Sequence, residues 1–540
     1  MAKTKEGKDP GALVEVAESI YAGIISVFIC VILAVFPLYH QDYYFDILKA
    51  KYKFYWIVAL TFLIVCLLVS LVFLFVDLQE FKGTNTKRFF SRFKLSNLKR
   101  QPLVYKALVL FWLFSLISTL QSDYLYESFW GNEGRFSGFF LMTLYVLTTI
   151  VIGKLGRIKR WYLDVFLFVS LGVCIFGITD YFHMDLLGWK ANVSSSQVDL
   201  FTSTMGNVNT YTAYVALVLG ISCGLFVKEK NPLRSLWYFI VSAAGFFAMI
   251  TGQSDNAYLS LGIMFAVLPF FLFGDAKELA RYVALAASFF TSIAVLARVN
   301  LVMADRVLGF TGIFDLLADS RWLFAVIALL WALAVLLYIR GRKTPEGSMG
   351  KIGGKLRIAW SCLIAAAVCA VLFILFDANF GGHPERYGPI AGYVVFNDSW
   401  GTNRGFCWRI GWECYKEQPF LHRLFGYGPD TYGILTWGFR EESIQKFNVY
   451  YESAHNEYLQ YLVTIGPLAL ASYLVFLGSS FVRLGRIVKK YSWVLALLTA
   501  VICYNTQAIV NINLPIATPF MWLFLAMGLA LCRETETAVE

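Results

Sequence analysis

Residues Glu452 to Val482 read ESAHNEYLQYLVTIGPLALASYLVFLGSSFV. A polar lead passes directly into an apolar run longer than about 18 residues, the length at which a helix crosses a lipid bilayer. The span is expected from Asn456 to Val482, with Ser453 as its N-cap. His455 then falls in the first turn, at the membrane surface. The positive end of the helix dipole disfavours imidazolium there, so a neutral, base-competent ring is expected near pH 7. The plainer use of a histidine at such a place is a polar residue snorkelling at the interface, and position alone does not choose between the two.

Similar runs recur along the whole 540-residue chain. It is 58% hydrophobic and 15% charged, with a mean hydropathy of +0.61, whereas a soluble domain carries about 25% charged residues. The reading is an all-α polytopic membrane protein of about 14 transmembrane helices with one large extracytoplasmic loop. Spans are expected at residues 19–39, 54–76, 103–120, 139–152, 161–180, 211–227, 235–250, 257–273, 281–298, 322–338, 358–376, 456–482, 493–510 and 515–532. Three regions follow: transmembrane helices over 1–376, the large loop over 377–454, and the last helices with a cytoplasmic tail over 455–540. The polar N-terminal stretch is too long for a signal peptide.

The net charge of +10 does not indicate nucleic acid. About 30 of the 46 Lys and Arg residues lie in the tails and in alternate loops, among them Lys94, Lys99, Arg100 and the basic stretch around Glu346. That bias makes the termini cytoplasmic and the large loop outward-facing. All five histidines fall on the outer side. Most cysteines sit inside apolar runs as small hydrophobes. Cys407 and Cys414, about 10 Å apart on a helix, are too far apart for a disulfide, and no zinc-ligand spacing is present.

The large loop reads NRGFCWRIGWECYKEQPFLHRLFGYGPDTYG from Asn403 to Gly433. Arg404, Arg409 and Arg423 run against the topological bias and need either solvent or an anion, and arginine matches phosphate through a two-pronged fork. Arg409 has a simpler partner in Glu413, four residues on. Arg404 has only Asp398 nearby. The Gly426-Tyr427-Gly428-Pro429 turn could offer backbone N–H groups to an anion, although such a turn more often only reverses the chain. Arg135, within GNEGRFSG, is a lone arginine at the outer end of a span and so a functional candidate. Asn207 and Asn209 are expected as helix caps.

Taken together, Arg404…Trp408, then LFGYGPDTY, then HNEYLQYLVTIGPLA resemble the O-antigen ligase and polymerase superfamily of membrane glycosyltransferases. That family shows an Arg…Trp segment, a Gly-x-Gly turn, and His-Asn followed by glycine at the spacing kept here by His455, Asn456 and Gly466. GNEGRFSG and GNVNTYTAY resemble its earlier blocks, so the likeness runs roughly from Ser128 to Leu470. Where many members read Ser-Arg-Gly this chain has Ser254, Asp255 and Asn256. An arginine is missing there, or another replaces it.

The resemblance implies a C-type glycosyltransferase-like fold. It also implies transfer of a glycan from an undecaprenyl-pyrophosphate donor to an acceptor hydroxyl of a glycan or glycolipid, with membrane lipids as surroundings and with no metal, cofactor or nucleic acid. The chain would work in the bacterial plasma membrane with its site facing outward, as polymerase or ligase. His455 would be the base, and Arg404, Arg135, Arg409, Tyr427 and Asn456 would bind substrate. The alternative from another class is a flippase or transporter of lipid-linked glycans, which needs ionisable residues at mid-membrane depth.

Overall fold

The computed structural model describes residues 10–93, 101–195, 197–343 and 349–537. Lys94, Lys99, Arg100 and Glu346 lie outside the described residues. Apart from a two-residue antiparallel ladder, Phe201–Thr202 with Gly206–Asn207, the described chain is helices and their connections. In lipid a helix satisfies its own backbone, so each long apolar run becomes one.

A helix occupies each of the fourteen expected positions. Ten are long and apolar enough to cross a membrane. Phe139–Leu155, Asn256–Phe271 and Val494–Val510 are shorter apolar helices. The last is Thr518–Thr537.

Boundaries differ where side chains cap distant carbonyls. The second helix, Ile47–Phe81, begins well before the expected residue 54. Lys51 on it is fully buried and donates from Nζ to the carbonyls of Phe36 (2.8 Å) and Pro37 (3.0 Å). A cation at the C-terminal end of the preceding helix is favourable, so the polar KAKYK stretch is drawn into helix.

The core is organised around Val208–Lys228, which is buried along its whole apolar length. Asn207 caps it by accepting from the backbone N–H of Asn209, as expected. Gly220 and Gly224 form a Gly-x-x-x-Gly face. A β-carbon at Gly220 would lie 2.3 Å from the Cα of Ala500, and one at Gly224 would lie 2.5 Å from that of Ala496. Association inside a bilayer depends on close packing of small residues, because lipid already solvates apolar side chains. This pairing therefore fixes Val494–Gln507 against Val208–Lys228, and Pro232–Thr251 packs on the other side.

Between Gly350–Asn379 and Glu457–Ile487 lies the large loop. It is helical in short pieces, including Trp400–Glu417, Phe420–Phe425 and Arg440–Phe447. It packs on the ends of Leu103–Leu120 and Glu457–Ile487. The helix Glu457–Ile487 breaks at Gly466 (φ +78°), where Pro467 removes a backbone donor. A β-carbon at Gly466 would lie 2.3 Å from the carbonyl oxygen of Leu424, and one at Gly426 would lie 2.0 Å from that of Thr464. The Gly-x-Gly turn of the loop thus seats backbone against backbone on the helix break.

Candidate active site

Three segments far apart in sequence meet at the N-terminal end of Glu457–Ile487. His455 precedes the helix in left-handed backbone (φ +48°). The cap is Asn456, not Ser453. Its side chain accepts from the backbone N–H groups of Tyr458 and Leu459, both at 3.0 Å, while Ser453 is buried beneath. Asparagine at this place both satisfies orphan donors and leaves His455 one residue outside the helix.

Arg135 and Arg404 flank His455 closely enough to act on its charge. Part of the histidine's surface reaches solvent, yet its ring is enclosed deeply enough that burial comes first, with the two guanidinium groups adding to it. Together they lower its pKa from 6.5 to about 3. Both effects disfavour imidazolium, so the ring is neutral at ordinary pH.

Neither arginine has an ion-pair partner within 4 Å among the described residues. Arg404 is 6% exposed; it donates from Nε to the carbonyl of Val510 (2.8 Å) and from Nη1 to that of Gly401 (2.6 Å). Its nearest opposing charge is the half-buried carboxyl of Asp255. Burial raises that acid's pKa, and Arg404 partly offsets the effect. Among the described residues Arg135 makes no side-chain hydrogen bond, and its Nε is buried without a partner. Burial lowers the pKa of both guanidinium groups.

What holds Arg135 in place is the turn around it. Asp430, the residue after Gly-Pro in the loop, accepts the backbone N–H groups of Asn132 (2.8 Å) and Ser137 (3.1 Å) on one carboxylate oxygen. Burial pushes this carboxyl up to about 7, against the lowering effect of those N–H groups and of Arg135. Phe136, Gln253, Thr402, Asn403, Asp430 and His455 all hold positive φ. Each such residue costs about 1–3 kcal/mol and persists only where its surroundings over-determine it. Six of them sit in or beside one site.

Residues 307–474 match the O-antigen ligase family model.

No curated protein matches the chain. This match supports the superfamily resemblance read from the sequence, and with it a membrane glycosyltransferase-like role in polysaccharide assembly. The matched stretch opens before Leu323–Lys343 and ends inside Glu457–Ile487. It holds Arg404, Arg409, Tyr427, His455 and Asn456, whereas Arg135 lies outside it.

Three of the expected substrate-binding residues have other partners. Arg409 is an ion-pair hub. It binds Asp398 through Nε (2.9 Å) and Nη2 (3.1 Å), Glu442 through Nη2 (2.6 Å), and Glu413 through Nη1 (3.3 Å). Its pKa is raised, with the Asp398 bond the first cause. Arg409 is therefore neutralised internally by three carboxylates, and the i,i+4 pair expected from sequence is one of them.

Tyr427 stacks on His422, with ring centroids 3.7 Å apart, and its carbonyl accepts from Ser128 (3.1 Å) and Ser122. Both glycine N–H groups of its turn are also used. Gly426 donates to His422 (2.6 Å), and Gly428 donates to Thr464 (2.8 Å) and Ser118 (3.0 Å). The turn shapes the loop, and its two glycine N–H groups are not free for an anion. Asn456 is the helix cap. Arg423 is held by the carbonyls of Lys416 and Gln418.

Cys407 and Cys414 are free. Among the described residues, no three His, Cys, Asp or Glu side chains are grouped as metal ligands would be. Sequence reasoning passed over Asp430 and Glu457. Each stands directly beside a motif already singled out, Gly-Pro-Asp and His-Asn-Glu, and that adjacency was the only signal available.

Proposed function

We propose that the chain transfers a glycan from an undecaprenyl-pyrophosphate-linked donor to an acceptor hydroxyl without a metal, as polymerase or ligase, on the outer side of a bacterial plasma membrane. The observation that carries this reading is the convergence of a neutral histidine with two arginines, Arg404 buried and Arg135 half-buried, that lack ion-pair partners among the described residues. A buried cation without a counter-charge is costly, and a pyrophosphate between Arg135 and Arg404 would supply that charge. The arginines would stabilise the negative charge that grows on the departing pyrophosphate. His455 would take the proton of the attacking hydroxyl. In-line attack would invert the anomeric carbon. The bound anion would also raise the pKa of His455, by offsetting the two cations that lower it in the free protein, and so bring its basicity nearer to neutral pH.

Reconstitution of the purified protein with a synthetic undecaprenyl-pyrophosphate glycan tests the reading. Gel analysis should show a ladder for a polymerase or a single shift for a ligase, undiminished by EDTA. No product in the presence of a glycan or glycolipid acceptor, or activity lost to EDTA and restored by a divalent ion, would overturn it.

A further inference from the structure

Beside Arg135 lies a cavity of about 20 Å³ whose lining includes Arg135, Ser453, Glu457, Tyr461 and Asn513. Four of the polar atoms of these residues are buried and have no hydrogen-bond partner among the described residues: Arg135 Nε, Ser453 Oγ, Glu457 Oε2 and Asn513 Oδ1. Buried polar atoms are almost always paired, so four orphans around one space point to something that pairs them. One water needs roughly 10–15 Å³ on this measure and two to four polar partners. The set here offers one N–H donor, two acceptors and one hydroxyl that does either.

We infer that this cavity binds a single water that links Glu457 to Arg135, making Glu457 a positioning residue for that arginine. The acid is 1% exposed and stands two residues beyond His455. Its other oxygen accepts from Tyr473 (2.9 Å), and the Tyr461 hydroxyl lies beside it. Tyr461 in turn accepts from Asn513 Nδ2 at 2.9 Å, which leaves Oδ1 of that amide turned to the cavity. A small cation does not suit the space, because Arg135 already brings positive charge to it.

The arrangement gives Arg135 two supports. Asp430 holds the backbone on either side of it, and Glu457 orients its guanidinium through the water. The rest of the guanidinium is left for an anion on the His455 side. This part rests on the donor site proposed above, whereas the link between Glu457 and Arg135 does not.

A double-mutant cycle separates the two. Glu457→Gln, Arg135→Gln and the double variant would be compared by thermal unfolding in detergent and by binding of undecaprenyl pyrophosphate. Coupled residues depart from additivity. Glu457→Gln should lower Tm by roughly 2 °C or more while Arg135 is present, and by clearly less in the Arg135→Gln background. It should also weaken pyrophosphate binding about tenfold with Arg135 present and not without it.

Additive Tm losses would overturn the link whatever binding shows. Coupled Tm losses with unchanged binding in Arg135→Gln would keep the link and remove Arg135 from the donor site. Should Glu457→Gln fail to fold in both backgrounds, Ser453→Ala takes its place. It removes one partner of the water and no charge, and the same non-additivity with Arg135→Gln is expected at smaller size. Additivity there would again overturn the inference.

Discussion

Arg409 grips Asp398 with two parallel hydrogen bonds, Nε to Oδ1 at 2.9 Å and Nη2 to Oδ2 at 3.1 Å. Asp398 is the acid nearest in sequence to Arg404, and the grip takes it for Arg409 and Lys446 instead. Two arginines five residues apart on one helix therefore have opposite fates. Arg409→Ala should lower thermal stability modestly, because the network is part-exposed and screened by solvent. Binding of undecaprenyl pyrophosphate should be unchanged. A loss of donor affinity to match the loss at Arg404 would return Arg409 to the substrate site.

Arg404→Ala should weaken binding of the same ligand by about 10- to 150-fold, the equivalent of a charged hydrogen bond of roughly 1.5–3 kcal/mol. Arg404→Lys should recover only part of it, since a lysine keeps the charge and loses the fork. Labelled-ligand binding to the three forms gives the answer, with circular dichroism to confirm folding, because Arg404 also ties down the carbonyl of Val510. Equal affinity in all three would make Arg404 a structural clasp.

His455 links stability to pH. Its folded pKa, about 3, lies below the unfolded value near 6.5. In that window the unfolded chain binds the extra proton, so stability rises with pH from 3 to 6.5 and levels off above. A plot of Tm between pH 7 and pH 4 should fall less steeply for His455→Gln than for the wild type. Identical slopes would mean that His455 titrates normally. The same variant should lose about 10²- to 10⁴-fold in transfer rate if the histidine is the general base.

Gly220→Val should separate Val208–Lys228 from Val494–Gln507, because its side chain would meet the backbone of Ala500. A loss of about 1–3 kcal/mol is the usual size of such overpacking. Gly172, on Trp161–Tyr181, has nothing within 4 Å of an added β-carbon and is the matched control. Unfolding in detergent should show a clear drop for Gly220→Val and a small one for Gly172→Val, and equal drops would contradict the close packing.

Cysteines introduced at Lys343 and Gln445 test the orientation, since both positions are exposed. An impermeant maleimide on intact cells should label the Gln445 site and spare the Lys343 site. The reverse would place the loop, and the site with it, on the cytoplasmic side.

Where the helices lie was written in the sequence, because helix formation in lipid is a local matter. Each apolar run must satisfy its own backbone and needs no knowledge of its neighbours. The His-Asn pair, Arg404 and the Gly-x-Gly turn stood out for a similar reason: they interrupt an otherwise apolar chain.

Which of these residues meet was decided only by tertiary structure. No periodicity in the chain brings Arg135 to His455. That follows from Asp430 catching the turn around Arg135 and from Gly426 and Gly466 letting two backbones touch. Arg404 and Arg409 look alike in sequence. Their roles divide because the fold delivers Asp398, Glu413 and Glu442 to Arg409, and brings to Arg404 only Asp255, which stands beyond ion-pair distance. Charge at a site depends on what the other helices carry to it, and a linear pattern does not record those meetings.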